Sequence, residues 1–211
     1  MKIDPKLVPR PKAGKRKLPV IILMTDAARV PDPVEALARA PRGAAMIYRA
    51  YGLSPTRTEL ARLGQMARRK GVRLLVAGNL RASSGAGVGG QHLPEHVIHQ
   101  PTERRFARRP KPDFLVTAAA HSESAVIAAA RAGADAVLIS PVFATQSHPG
   151  AKPLGPVRFA RLATMANARG LAVYALGGMT TDAARRRLSS ICIMGIAGIT
   201  IGLAPKQKER A

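Results

Sequence analysis

Residues 113–140 read DFLVTAAAHSESAVIAAARAGADAVLIS, and this stretch decides the fold. Residues 113–119 form an apolar run rich in strand formers, too short for a helix and suited to a buried strand. Ser122 is a helix-capping residue, and the helix it opens runs to Arg131 with Ala125, Val126 and Ala129 on one face. Gly133 follows the helix, and 136–140 (AVLIS) reads as a second buried strand. A strand, a helix of about ten residues and a strand make a parallel βαβ unit.

The same alternation extends in both directions. Toward the C-terminus come a long loop at 141–154, a helix at 157–169 with Phe159, Leu162, Ala163 and Ala166 inward, and a strand at 171–176. Gly177-Gly178, a helix over 180–188 capped by Thr180 or Thr181, and a last apolar run at 191–201 complete that half. Toward the N-terminus, strands are predicted at 19–25 (PVIILMT), 44–49 (AAMIYR), 72–77 (VRLLVA) and 88–93. Helices are predicted at 33–39 and at 55–70, the latter capped by Ser54, stopped by Gly71 and burying Leu60, Leu63 and Ala67. Residues 78–90 are rich in Gly and Ser, and 95–112 are polar and basic without a clear period. About eight strands in 211 residues predict an α/β fold, a (β/α)8 TIM barrel. Periodicity alone leaves an open doubly wound sheet as the alternative.

Charge divides the chain further. Lys and Arg number 34 against 12 Asp and Glu, a net charge of +22. Residues 1–18 hold seven of these cations and three of the prolines, and read as a flexible basic arm. The single barrel domain then covers 19–204, and 205–211 form a short charged tail. Such a field attracts anions, and the arm suits non-specific nucleic-acid binding. For the remaining charge, spread over predicted helix faces, a solvated Arg-rich surface is the preferred reading over a nucleic-acid patch. Aromatic residues make up 3% and Trp is absent, which argues against a stacking platform for single-stranded nucleic acid. One cysteine, Cys192, excludes an intramolecular disulfide framework and a Cys-rich zinc site. With no secretory signal and no apolar run of about 18 residues, the expected address is cytoplasmic, with no membrane partner.

In a (β/α)8 barrel, chemistry sits where the strands end. Gly177-Gly178 before a helix N-terminus, with Gly198 at the end of the last strand, suits a phosphate, because glycine lets backbone N–H groups approach an anion. Strand ends also need glycine simply to turn. The loop from Ser140 through Thr145, Ser147 and His148 offers hydroxyl donors for a phosphate, or is a plain surface loop. His121, between a strand and a helix, is an acid/base candidate or a structural imidazole. Arg49 closes an apolar strand at the barrel mouth, where it meets an anionic ligand or pairs with Asp26. Cys192 lies in an apolar run and reads as core.

Several motifs taken together resemble the thiamine phosphate synthase/TenI superfamily. They are His121-Ser122-Glu123-Ser124-Ala125, Ala132-Gly133-Ala134-Asp135-Ala136, Ser140-Pro141-Val142-Phe143-Ala144-Thr145, Leu154-Gly155-Pro156 and Ala175-Leu176-Gly177-Gly178-Met179. Met24-Thr25-Asp26 continues the match, which is tightest over 113–180. The resemblance implies a TIM barrel that binds phosphorylated thiazole and pyrimidine ligands. The synthase joins thiazole phosphate to hydroxymethylpyrimidine pyrophosphate with Mg²⁺ on the pyrophosphate; TenI-type relatives tautomerise the thiazole with a His, matched here by His121. Gly177 and Gly178 match the thiazole-phosphate site. The synthase's second-strand Gln-x-Arg-x-Lys looks like Ile47-Tyr48-Arg49-Ala50-Tyr51, which keeps only the Arg and puts Tyr51 in place of Lys. His148 stands where the pyrophosphate loop has Lys. The third-strand Asn-Asp pair falls at Ala77-Gly78, and Glu95 is the only acid near the fourth-strand carboxylate, so no metal ligand is assigned. A homo-oligomer is compatible with the resemblance. The expectations are therefore a thiamine-biosynthetic enzyme (synthase or tautomerase), a non-catalytic phosphate-ligand binder on the same barrel, or a nucleic-acid binder acting through the arm.

Overall fold

Eight short strands pair in chain order, all parallel, and β8 returns to β1 to close a barrel. In this computed structural model the described residues are 17–50, 55–78, 87–99, 109–145, 150, 152–179, 184 and 186–199. The basic arm up to residue 16 and the tail lie outside them. The strands are β1 (Ile21–Met24), β2 (Ala45–Tyr48), β3 (Arg73–Ala77) and β4 (Gly90–Leu93), then β5 (Leu115–Ala120), β6 (Ala136–Ile139), β7 (Ala172–Leu176) and β8 (Gly195–Gly198). The helices given by the described residues are α1 (Pro33–Arg39), α2 (Arg57–Lys70), α3 (Glu95–Ile98), α4 (Glu123–Arg131) and α5 (Gly155–Ala168). The barrel alternative therefore holds over the open sheet.

Alternation along each strand splits the core in two. Ile22, Leu75, Leu115, Leu138 and Tyr174 fill the barrel interior. Val76, Val116, Val137 and Val173 face outward, beneath Leu60, Leu63, Val126, Phe159 and Leu162 of the helices. At Gly90 an added Cβ would overlap the Leu115 carbonyl oxygen, so β4 and β5 approach only because the side chain is missing. The end of the barrel where the strands begin is braced by polar bonds. Tyr174 donates its hydroxyl to the Pro19 carbonyl at 2.6 Å, which fastens the incoming chain across the floor. Buried Asp135 pairs with Arg109 and accepts from Val116 N at 2.8 Å, while Arg109 also donates to the carbonyls of Phe114 and Gly133, each at 2.8 Å.

Three boundaries correct the sequence reading. The helix expected over 55–70 begins at Arg57, because Thr56 and not Ser54 is its N-cap. Thr56 Oγ1 accepts from Glu59 N at 3.2 Å and the Glu59 carboxylate accepts from Thr56 N at 2.7 Å, a reciprocal capping box that Ser54 lies too early to make. The helix predicted from 157 starts two residues sooner, with Pro156 in its first turn, where a missing N–H costs no bond. Within the unassigned basic stretch, Glu95 opens the one-turn helix α3.

Candidate active site at the barrel mouth

A cavity of about 510 Å³ lies where the strands end. Seven predicted site residues line it: Arg49, His121, Ser140, Thr145, Gly177, Gly178 and Gly198. Tyr51, Ser147 and His148 lie outside the described residues.

His121 directly follows β5, and Glu95 directly follows β4 and Pro94, so adjacent strands bring them together. Glu95 Oε2 pairs with His121 Nδ1 and also accepts from the His121 backbone N–H at 2.9 Å. Glu95 Oε1 accepts from Ser122 Oγ at 3.5 Å and lies 3.9 Å from His99 Nε2. Ser122 in turn caps α4 by accepting from Ala125 N at 3.2 Å. An ionised carboxylate only accepts, so the Nδ1 it faces carries the proton and Nε2 is the nitrogen left to exchange one. Glu95 was visible in the sequence only as an acid near a strand end. Its partner is 26 residues away, and only the β4–β5 pairing makes them neighbours.

A second imidazole lies beneath this pair. His92 points inward from β4, and its Nδ1 is 2.9 Å from Thr117 Oγ1. Thr117 donates that hydroxyl to the Gln91 carbonyl at 3.4 Å, so it accepts from His92 Nδ1–H. Burial first, and the nearby Arg49 guanidinium second, push the His92 pKa down to about 3. His92 is thus a neutral wall of the cavity, while His121 stands half exposed at its edge. The sequence reading gave His92 no role.

Arg49 meets Asp26, as one of its two sequence readings required. Its Nη2 lies 3.4 Å from Asp26 Oδ2 and its Nε donates to the Thr25 carbonyl at 2.7 Å. The Arg49 backbone N–H donates to Thr25 Oγ1 at 2.8 Å, so side chain and main chain together hold the guanidinium in the cavity wall. Asp26 Oδ1 accepts from Ala28 N at 3.2 Å and Arg29 N at 3.1 Å, which fixes the first loop.

Across the cavity, Gly177 and Gly178 have φ of 94° and 68°. A Cβ on Gly178 would come within 2.6 Å of Phe143 Cβ and 2.8 Å of the Ala144 carbonyl. Phe143 N donates to the Gly177 carbonyl at 3.2 Å and Val142 N to the Leu176 carbonyl at 2.9 Å, so the loop after β6 is fastened to the end of β7. Buried Ser140 and half-buried Thr145 face the same cavity. Glycine is required here by both conformation and close packing.

The Mg²⁺ implied by the resemblance does not fit these residues. A hard divalent cation needs several oxygen ligands. Among the described residues, Glu95 is the only carboxylate lining the cavity, and its oxygens are engaged by His121 and Ser122. No three His, Cys, Asp or Glu side chains converge among the described residues in a way that would hold a metal ion. No described helix is long and apolar enough to cross a membrane.

A closed (β/α)8 barrel with an imidazole–carboxylate pair and a glycine-lined cavity at the strand ends defines the class of protein by its fold. The family model described as thiamine monophosphate synthase matches residues 21–201, and the chain belongs to that family. The protein assigned as thiamine-phosphate synthase 2 in Aquifex aeolicus is 36% identical over 118 residues, covering 54% of this chain and 57% of its own. The thiamine-phosphate synthase of Methanoregula boonei is 32% identical over 130 residues, covering 58% and 56%. The matches thus span little more than half the length of these relatives. The fold is that of the thiamine phosphate pyrophosphorylase of Pyrococcus furiosus, with a TM-score of 0.62, 23% identity and 85% of each chain covered.

Proposed function

We propose that this chain serves thiamine biosynthesis by binding a phosphorylated thiazole at the barrel mouth and isomerising its ring through His121. The observation that carries this reading is the Glu95–His121 pair at the cavity edge. His121 Nε2 takes a proton from one ring position and the imidazolium returns one at another. Nothing else is gained or lost, so no co-reactant is needed. Glu95 is a positioning residue that holds the Nδ1–H tautomer and stabilises the transient imidazolium. The ligand phosphate sits at Gly177, Gly178 and Gly198 with Ser140 and Thr145 donating hydroxyls, and Arg49 balances negative charge across the cavity. Neutral His92 competes for no proton.

The test is conversion of the phosphorylated thiazole tautomer followed by proton NMR in D₂O. His121→Asn is expected to slow turnover about 10²–10⁴-fold with little change in ligand binding. Unchanged turnover in that variant overturns the assignment.

The family and its relatives' names favour a second reading, coupling of the thiazole phosphate to hydroxymethylpyrimidine pyrophosphate. Appearance of the coupled product, lost on chelation of Mg²⁺, would select it over isomerisation. Ligand binding without either product would leave a phosphate-ligand binder on an enzyme-like barrel.

A further inference from the structure

The opposite end of the barrel holds a second cavity, of about 570 Å³, that neither reading uses. Lys17, Arg42, Arg68, Arg73 and Lys111 line it, and Asp113 is the one carboxylate among the described residues that do. None of the arginines joins an ion pair among the described residues. Arg73 is the most telling. It opens β3 with the inward parity of Leu75 and Ala77, so its side chain enters the barrel floor. Its Nη1 is fully buried and has no hydrogen-bond partner. A buried guanidinium nitrogen without an acceptor is unfavourable unless something supplies one.

Glycines set the three guanidinium stems. A Cβ on Gly89 would come within 2.6 Å of Arg73 Cγ, one on Gly71 within 2.9 Å of Arg42 Cγ, and one on Gly87 within 3.1 Å of Arg68 Nη1. Each arginine therefore lies along a surface that only glycine leaves open. Gly71 and Gly87 also take the left-handed conformation, with φ of 71° and 74°. The arrangement gathers planar, multi-donor cations around one concavity, the geometry that recognises phosphate oxygens in pairs. Low-dielectric walls focus such a field.

We propose that this floor cavity is a second anion site, distinct from the mouth, that takes a small multivalent phosphate anion. The concave shape selects a compact ligand over a nucleic-acid duplex, and Arg73 Nη1 supplies a buried donor that lacks an acceptor. Neither reading of the mouth is needed for it.

The experiment is isothermal titration of inorganic pyrophosphate into the full chain at low and physiological salt. Arg49→Gln removes the cation at the mouth, and a binding event that survives in this variant is expected. Arg73→Met keeps the stem and removes the charge, and it should weaken that surviving event at least tenfold. Arg42→Gln, at the exposed rim, should weaken it severalfold and serves if Arg73→Met fails to fold. Without ligand, Arg73→Met should melt no lower than the parent, because it removes an unpartnered buried donor. The proposal is overturned if pyrophosphate binding disappears with Arg49→Gln alone or is insensitive to both floor substitutions. It is also overturned if a 20-base-pair DNA duplex displaces pyrophosphate with a steep salt dependence.

Discussion

Replacing His92 with Asn should flatten the acid side of this protein's stability profile. In the folded barrel the imidazole is neutral down to about pH 3, whereas in the unfolded chain it takes a proton near its ordinary 6.5. Between these values the unfolded state holds one more proton than the folded state, so stability rises with pH and its loss begins as pH falls through 6.5. The limiting slope is about 1.4 kcal/mol per pH unit. At pH 5 the unfolded imidazole is almost wholly protonated and the folded one is not, which costs about 2 kcal/mol relative to pH 8. Asn is uncharged at every pH and still offers a donor to Thr117. Urea unfolding followed by far-ultraviolet circular dichroism suits the measurement, since the chain has no Trp. The parent should lose about 2 kcal/mol more than His92→Asn between pH 8 and pH 5. Equal losses would refute the neutral, buried imidazole and with it the division of labour between His92 and His121.

Three further outcomes follow from the geometry. Glu95→Gln should lower kcat about 10²-fold and alter the pH–rate profile, with KM within about threefold, since Gln keeps the shape but not the charge that holds the His121 tautomer; an unchanged profile in steady-state assays would remove Glu95 from the mechanism. Gly178→Ala places a Cβ against Phe143 in the left-handed region and should cost about 1–3 kcal/mol in chemical denaturation while weakening thiazole phosphate binding measured by titration calorimetry. Asp135→Ala leaves Arg109 unpaired beneath β6 and should destabilise the fold by about 3–5 kcal/mol in the same denaturation, with the ligand affinity of whatever remains folded unchanged.

Much of the barrel was legible because its signals are local. The runs at 113–119, 136–140 and 171–176 are too short and too apolar to be anything but buried strands, and each is matched within two residues at either end. The helical faces Ala125–Val126–Ala129 and Phe159–Leu162–Ala163–Ala166 are buried as their spacing requires. Helix ends were harder, since a cap is chosen by reciprocal bonds such as Thr56–Glu59 and not by residue type alone. The partly legible site follows the same division. Gly177 and Gly178 could be read because glycine at a strand end has a backbone reason to be there. Glu95 could not, because a single acid in a polar stretch carries no signal until its partner is known.

The sequence by itself determined the α/β alternation, the direction of the strands and the end of the sheet where chemistry belongs. These follow from short-range hydrophobic pattern and from the rule that a helix returning to a parallel strand leaves the loops at the strand ends. Tertiary structure alone decided closure of the sheet by β8 on β1, the pairing of Glu95 with His121 and of Arg49 with Asp26, and the neutrality of His92. It alone gathered the arginines at the floor. These depend on distances between residues far apart in the chain and on the dielectric each side chain meets, and neither is encoded in any local window of sequence.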